Sequence, residues 1–175
     1  MPKYRKMLTD WEAPYIQSLV SAVEGQSKAT LAIWCIGYAK AALLPIYETA
    51  CPKDPRPRAA LTAAGDWLGG QIKLPVAKTY ILACHEAARE AEGKPKAQSA
   101  ARAIGQAAST IHAATHCVGL ALYGALSAAY DQCGIDASWE ILERAAAAEC
   151  GRMEAALREI SAADEPNPAK LNWKC

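Results

Sequence analysis

The chain has 175 residues, a common size for one globular domain, and its basic residues outnumber its acidic residues by only one. This near-neutral balance argues against nucleic-acid binding, because a protein that holds phosphates needs a concentrated basic surface. Hydrophobic residues make up 52% of the chain but aromatic residues only 7%, and phenylalanine is missing. The apolar content is therefore mostly Ala and Leu, which predicts helices packed closely through Ala/Gly-rich seams.

The cysteines and the N-terminal residues indicate in which cellular compartment the protein is expected. The chain has seven cysteines, an odd number, and none of them forms a CxxC pair. The first residues are basic but lack the apolar core of a secretory signal. No stretch of about 18 apolar residues with membrane flanks is evident. We therefore expect a soluble cytoplasmic protein, with no membrane partner, whose cysteines are reduced thiols and in several cases buried.

Taken in chain order, the first helix signal is Thr9 and Glu12 in capping-box spacing. This helix is expected to end at Gly25, since glycine commonly follows the last helical residue. The segment 27–50 is apolar on nearly every face, which predicts a central helix. A proline removes one backbone hydrogen bond, so a kink or restart is expected at Pro45.

Two further helices are marked by proline at the start and glycine at the end. Asp54 is a natural N-cap and Pro55 suits the first helical position, while the glycines at 69–70 predict the end of this helix. The next helix is expected to run from near Pro75 to Gly93.

The second half of the chain predicts three more helical segments. Residues 95–133 are too many for a typical single helix, so a break is expected near residues 113–115, with Thr115 capping the second part. The last helix has one apolar stripe at steps of three and four residues. The stripe consists of Trp139, Leu142, Ala146, Cys150, Met153, Leu157 and Ile160.

Strand signals are nearly absent, so the predicted fold is an all-α, single-domain bundle of six to eight helices. The helical domain is expected to cover residues 1–163. The segment 164–175 contains two prolines and is expected to be an irregular C-terminal tail.

The histidines are the first candidate site. His112 and His116 are four residues apart, so on one helix both rings would point to the same face, which can bind a metal. The intervening residues lack the glutamate of an HExxH motif, and the sequence does not place Cys117, Cys84 or His85 nearby. We therefore favour structural or interface histidines with hydrogen-bond partners, and no cofactor. A metal-binding protein or helical enzyme that uses this pair is the alternative.

Arg56 and Arg58 are expected in the first turn of the helix that follows Asp54, where positive charge opposes the helix dipole. Either they pair with carboxylates such as Glu48 or Asp66, or they are held for a partner. The fork of an arginine matches a carboxylate well, so the first interpretation is favoured.

Charge is uneven along the chain. Residues 136–165 contain eight acids and three arginines, a net charge of −5. A solvated helix face would explain this, and so would an acidic surface that docks a basic partner. The acids of the predicted docking surface are Glu140, Glu143, Glu149 and Glu154. No P-loop, dinucleotide-binding or nucleophile-elbow motif occurs, and we predict no catalytic residues.

The order of several short motifs resembles the Imm-five-like immunity proteins of bacterial polymorphic toxin systems. The motifs are Trp34-Cys35, Asp54-x-Arg56-Pro57, Trp67, Ala100-Ala101-Arg102-Ala103, and the set His112, His116, Gly119 and Tyr123. Relatives often have a proline between the two histidines, where this chain has Ala114. The specificity lies in the order and spacing of the motifs, since each alone is common.

The resemblance implies a small cytoplasmic protein that binds a cognate toxin domain and blocks it. Such a protein needs a rigid scaffold and a complementary surface rather than catalytic residues. The motif residues would then have mainly structural roles, and the toxin would bind the acidic surface or the region of Arg56 and Arg58. A helical scaffold without a toxin is the remaining alternative, and the oligomeric state is left open.

Overall fold

A computed structural model describes residues 4–173, which form eight α-helices and no β-strand. The helices are α1 (Pro14–Glu24), α2 (Lys28–Tyr38), α3 (Leu44–Ala50), α4 (Arg56–Leu68), α5 (Leu74–Glu90), α6 (Pro95–Ser109), α7 (Cys117–Cys133) and α8 (Trp139–Ile160). The prediction of an all-α bundle is therefore confirmed. The last helix contains the whole predicted stripe, of which Leu142, Ala146, Cys150, Met153 and Leu157 are buried, whereas Ile160 at its end is exposed.

A π-helical turn, Ala39–Leu43, joins α2 and α3 into one continuous helix, Lys28–Ala50. Pro45 follows this wide turn directly, so the predicted irregularity is a π-bulge rather than a restart. By length and composition this helix could cross a membrane, although Lys40 interrupts its apolar residues. Part of it is buried in the bundle, and the core helix of a soluble protein has the same character.

The central element is α6, which contacts α2, α3, α4, α5 and α7. Between residues 97 and 109 this helix is buried everywhere except at Arg102 and Gln106. On the far side of α7, α8 packs against α7 and α1. Among the described residues of this part of the helix, Arg102 and Gln106 are therefore the two that meet solvent.

Small side chains permit this close packing. Six alanines of α6 are fully buried: Ala97, Ala100, Ala101, Ala103, Ala107 and Ala108. In α7, a Cβ added to Gly124 would lie 2.8 Å from Leu43 Cδ1, which is closer than atoms can pack. A hydrogen bond also crosses the core between α2 and α8, because Trp34 Nε1 donates to the Met153 carbonyl at 2.9 Å. The predicted Ala/Gly seams are confirmed.

Two predicted caps are wrong. The first helix begins at Pro14, and Ala13 precedes it without a side-chain cap, so Thr9 and Glu12 lie outside the helix. The break between α6 and α7 is confirmed, but Thr115 lies inside a 3₁₀ turn rather than capping the next helix. In both places the chain packs by tertiary contacts that a local capping pattern does not report.

The C-terminal tail is irregular and packs back onto the beginning of the bundle. The Ala169 amide donates to the Gln26 carbonyl at 2.8 Å. The Trp173 ring lies 5.6 Å from that of Trp11, and its Nε1 donates to Glu24 Oε1 at 2.8 Å. The last described residues therefore cover part of α1 and the turn after it.

All six cysteines among residues 4–173 are free thiols, and Cys175 lies outside the described residues. Burial raises the pKa of Cys84, Cys117 and Cys150 to about 12. These three side chains therefore act as small apolar groups rather than as reactive thiolates.

Candidate functional site

Two clusters of polar side chains contain motif residues. The first, called the Asp54 network, consists of Tyr47, Asp54, Arg56 and Glu90. Arg56 Nε donates to Asp54 Oδ1 at 2.9 Å and Arg56 Nη2 donates to Asp54 Oδ2 at 2.7 Å. The same Nη2 donates to Glu90 Oε2 at 2.6 Å, and Tyr47 Oη donates to Asp54 Oδ2 at 2.6 Å. The network thus fixes the start of α4 against α3 and α5.

Asp54 does part of the predicted capping, although α4 begins at Arg56, one residue later than expected. Asp54 Oδ1 accepts from the Arg56 amide at 3.1 Å. The hydrogen bonds from the Arg56 side chain are the main reason why the pKa of Asp54 is lowered to about 2. Burial and the bond to Asp54 raise the pKa of Tyr47. Both groups keep one charge state throughout the physiological range.

The second arginine also forms a carboxylate clamp, in agreement with the favoured interpretation. Arg58 donates through Nε and Nη2 to the two carboxylate oxygens of Glu48, at 2.7 and 2.8 Å. Arg56 pairs with Asp54 and Glu90 rather than with Asp66. The two arginines therefore both have carboxylate partners within the chain.

A cleft of about 590 Å³ opens beside the Asp54 network. It is lined by Cys51 and Lys94 in addition to network residues, and Lys94 Nζ lies 3.8 Å from Cys51 Sγ. Because its arginine and both of its carboxylates are already paired, the charge that the cleft offers a partner comes from its lysines, Lys53 and Lys94.

The second group, the histidine–arginine cluster, consists of His85, Arg102, Gln106, His112 and His116. It brings together all three histidines of the chain. The rings of His112 and His116 meet edge to face with centroids 5.3 Å apart. His112 lies in the turn after α6, so the prediction that both rings share one helix face is wrong, although the rings do meet.

Glycines let the cluster pack on the central helix. His85 of α5 lies over Gly105, where an added Cβ would be 2.6 Å from His85 Cε1. Gln106 lies over Gly119, where an added Cβ would be 2.5 Å from Gln106 Cγ, and Gln106 Oε1 is 2.8 Å from His116 Nδ1. The motif residue Gly119 thus positions the glutamine that holds His116.

Burial and positive surroundings lower the pKa of the cluster histidines. Burial is the main cause for all three. His116, Arg89 and Arg102 add repulsion at His85, while His116, Lys78, Lys28 and His85 add repulsion at His112. The histidines are therefore held neutral near pH 7 in a positively charged environment.

Two buried polar atoms in the described part of the chain have no hydrogen-bond partner, and both belong to this cluster: Arg102 Nε and His112 Nδ1. A buried donor or acceptor without a partner costs about 1–3 kcal/mol, and such atoms are rare in folded proteins. Arg102 and His112 belong to the motifs identified in the sequence, but the motifs did not indicate that these two nitrogen atoms lack hydrogen-bond partners.

Metal binding was the alternative for the histidine pair. Within residues 4–173, no group of three or more His, Cys, Asp or Glu side chains is arranged to hold a metal ion. Cys84, offered as an additional donor, is buried and donates to the Ala101 carbonyl at 3.4 Å. It thus belongs to the α5–α6 contact.

The four acids predicted to form a docking surface on α8 do not share one face. Glu149 is only 5% exposed, accepts from Tyr38 Oη at 2.7 Å and pairs with Arg152, which corrects its assignment to the surface. Glu143 and Glu154 accept from side chains of α1, namely Tyr15 and Ser18. Glu140 is well exposed and pairs with Arg144, four residues away.

The remaining motif residues pack in the core or against it. Pro57 is buried in the first turn of α4, and Tyr123 of α7 packs on the core. Trp67 of α4 lines a groove with Lys28 and Ile111, and Lys28 Nζ donates to the His112 carbonyl at 3.2 Å. This groove therefore adjoins the histidine–arginine cluster.

The comparison with known families agrees with the order of the motifs. Residues 21–156 match the family described as Imm-5 like putative immunity protein. No curated protein and no solved structure matches the chain. The match covers all of the Asp54 network and all of the histidine–arginine cluster. The chain therefore belongs to the Imm-5-like immunity protein family.

Proposed function

We propose that this protein binds a cognate toxin domain in the bacterial cytoplasm and neutralises it by forming a complex. The observation that carries the proposal is the family match over residues 21–156. Inhibition by binding requires a rigid, complementary surface rather than a set of catalytic groups. A close-packed helical scaffold, whose charged motif residues Asp54 and Arg56 are locked in a network, suits that requirement.

The acidic side of α8 is a weak choice for the docking surface. Of the four acids proposed there, Glu149 is buried and Glu143 and Glu154 already bind α1. A surface whose charges are satisfied within the chain gains less from an opposite charge on a partner. The partially unpaired cluster around Arg102 is the stronger candidate.

The test is co-expression in a sensitive bacterium with toxin domains encoded near the gene of this protein. We expect growth to be rescued for one of them and the two proteins to co-purify when the toxin carries an inactivating substitution. Toxin domains from unrelated systems serve as the control and should not be rescued.

The docking surface can be tested in the same assay. Reversing Glu140 and Glu143 to lysine should leave rescue and association rates unchanged, and Glu92→Lys is a matched control because Glu92 is also exposed. A slower association with the double reversal would return the docking surface to α8. Failure to rescue growth against every neighbouring toxin domain, with no complex formed, would refute the immunity function itself.

A further inference from the structure

We propose that the histidine–arginine cluster is the receptor for a carboxylate side chain, Asp or Glu, that the toxin domain inserts on binding. The inference rests on the proposed function for the identity of the partner. It rests on the geometry of Arg102, His85, His112 and His116 for the chemistry of the ligand.

The unpaired atoms define what the ligand must supply. Arg102 Nε is a buried donor without an acceptor, and the guanidinium can offer no other role than donation. His112 Nδ1 is the second buried atom of the cluster that lacks a hydrogen-bond partner. A carboxylate accepts from Arg102 Nε and matches the fork of an arginine, and it also accepts from His112 Nδ1 in the tautomer that carries the proton there. A cationic or purely apolar ligand would leave Arg102 Nε without an acceptor.

The intramolecular carboxylates do not fill this position. The acid nearest in sequence to a cluster histidine is Glu86, which forms an ion pair with Arg89. By contrast, Arg56, Arg58 and Arg152 each pair with an acid of this chain. Arg102 is a motif arginine whose buried nitrogen lacks such a partner, so the acceptor is expected to come from another molecule.

The surroundings have the features of a protein-binding surface. Along one side of α5, Lys78, Leu82, His85 and Arg89 recur at steps of three and four residues. Leu82 is 65% exposed on this side of the helix and offers an apolar contact next to the basic side chains. An apolar contact next to a charged group that is desolvated on binding is an arrangement that concentrates binding energy at protein interfaces. The partner surface is therefore expected to be acidic with an apolar residue beside the inserted carboxylate.

The first test uses small probes and does not depend on the toxin. Blocked aspartate, N-acetyl-aspartyl methylamide, should shift the ring signals of His85, His112 and His116 in NMR spectra saturably, with a Kd of about 1–10 mM. The isosteric blocked asparagine should not. Arg102→Met should weaken the aspartate response at least about fivefold, while Arg144→Met, at an exposed arginine of α8, should not. An equal response to both probes, no saturable response, or a response unchanged in Arg102→Met overturns the proposal.

The second test uses the complex with an inactive variant of the toxin domain that is rescued. Arg102→Met and His112→Asn should each raise the Kd about tenfold or more, with Arg144→Met as the control. Circular dichroism checks that each variant keeps its helices. Rescue and affinity unchanged in Arg102→Met would refute this inference and leave the immunity function standing. Absence of any rescued toxin domain would refute the function, and the probe titration would still decide whether the cluster binds carboxylates.

Discussion

The Asp54 network and the histidine–arginine cluster differ in whether their charged groups are paired. Helix α5 contributes to both regions, through Glu90 and His85 respectively. In the network every carboxylate and the arginine have partners within the chain. In the cluster Arg102 has no carboxylate partner among the described residues, the histidines are held neutral, and two buried nitrogen atoms have no partner. The difference shows that motif residues of one family can have different roles: the paired charges of the network fix the fold, whereas we propose that the unpaired donor of the cluster binds a partner.

The largest expected effect is at the network. Asp54→Ala should lower the free energy of unfolding by about 2–3 kcal/mol, because it removes the partial cap of α4 and leaves Arg56 and Tyr47 without their acceptor. Urea unfolding followed by circular dichroism measures the change. Glu48→Gln breaks the more exposed clamp with Arg58 and should cost less than about 1 kcal/mol. Equal effects of the two substitutions would mean that the network does not stabilise the fold.

Whether a contact in these two regions could be predicted from the sequence depends on how far apart its residues lie along the chain. Local patterns predicted the helices, the carboxylate clamp of Arg58 and the break after α6, since each is set by neighbours along the chain or by strong pairing. They did not predict that His85 lies over Gly105, 20 residues away, because that contact depends on how α5 packs on α6. They also placed Glu149 on the surface, whereas the turn of the helix directs it towards Tyr38.

The next effect tests the packing of the cluster. Gly105→Ala places a Cβ 2.6 Å from His85 Cε1, so the ring must move, and we expect a loss of about 1–2 kcal/mol in the free energy of unfolding. Removing the ring in the double variant with His85→Ala should recover part of the loss. Gly65→Ala is a matched control in α4, where an added Cβ meets no atom within 4 Å. It should stabilise the protein by about 0.5–1 kcal/mol. Destabilisation by both alanines alike would count against the steric explanation.

The two regions are also expected to differ in how they make the stability of the fold depend on pH. This effect is smaller and more gradual. The pKa values of the three histidines are lowered in the folded state, so the unfolded state binds more protons and stability falls as the pH drops through about 6.5. Asp54 behaves in the other way, since its lowered pKa stabilises the fold above about pH 3.9, and that contribution disappears as the pH approaches 2.

Thermal unfolding between pH 8 and 5 measures the histidine contribution. Replacing His85 and His112 by asparagine should flatten the dependence in this range, because fewer neutral histidines must take up a proton on unfolding. Asp54→Asn should leave the slope unchanged here and alter it only in stronger acid. A pH dependence that persists in the histidine variants would assign it to other groups.

The smallest expected effect on stability is at Arg102. This measurement distinguishes most sharply between a role in stabilising the fold and a role in binding a partner. If Arg102 stabilised the fold as Arg56 does, its loss would cost a similar amount. In this structure its buried Nε has no partner, so replacing it removes an unsatisfied donor rather than a hydrogen bond. Arg102→Met keeps most of the apolar stem that packs on the bundle, and the free energy of unfolding should change by less than about 0.5 kcal/mol. Arg56→Met, measured by the same urea unfolding, should cost about 1–3 kcal/mol, because it leaves Asp54 and Glu90 without a counter-charge. A cost at Arg102 as large as at Arg56 would show that the cluster supports the fold like the network, and the contrast between the two regions would be lost.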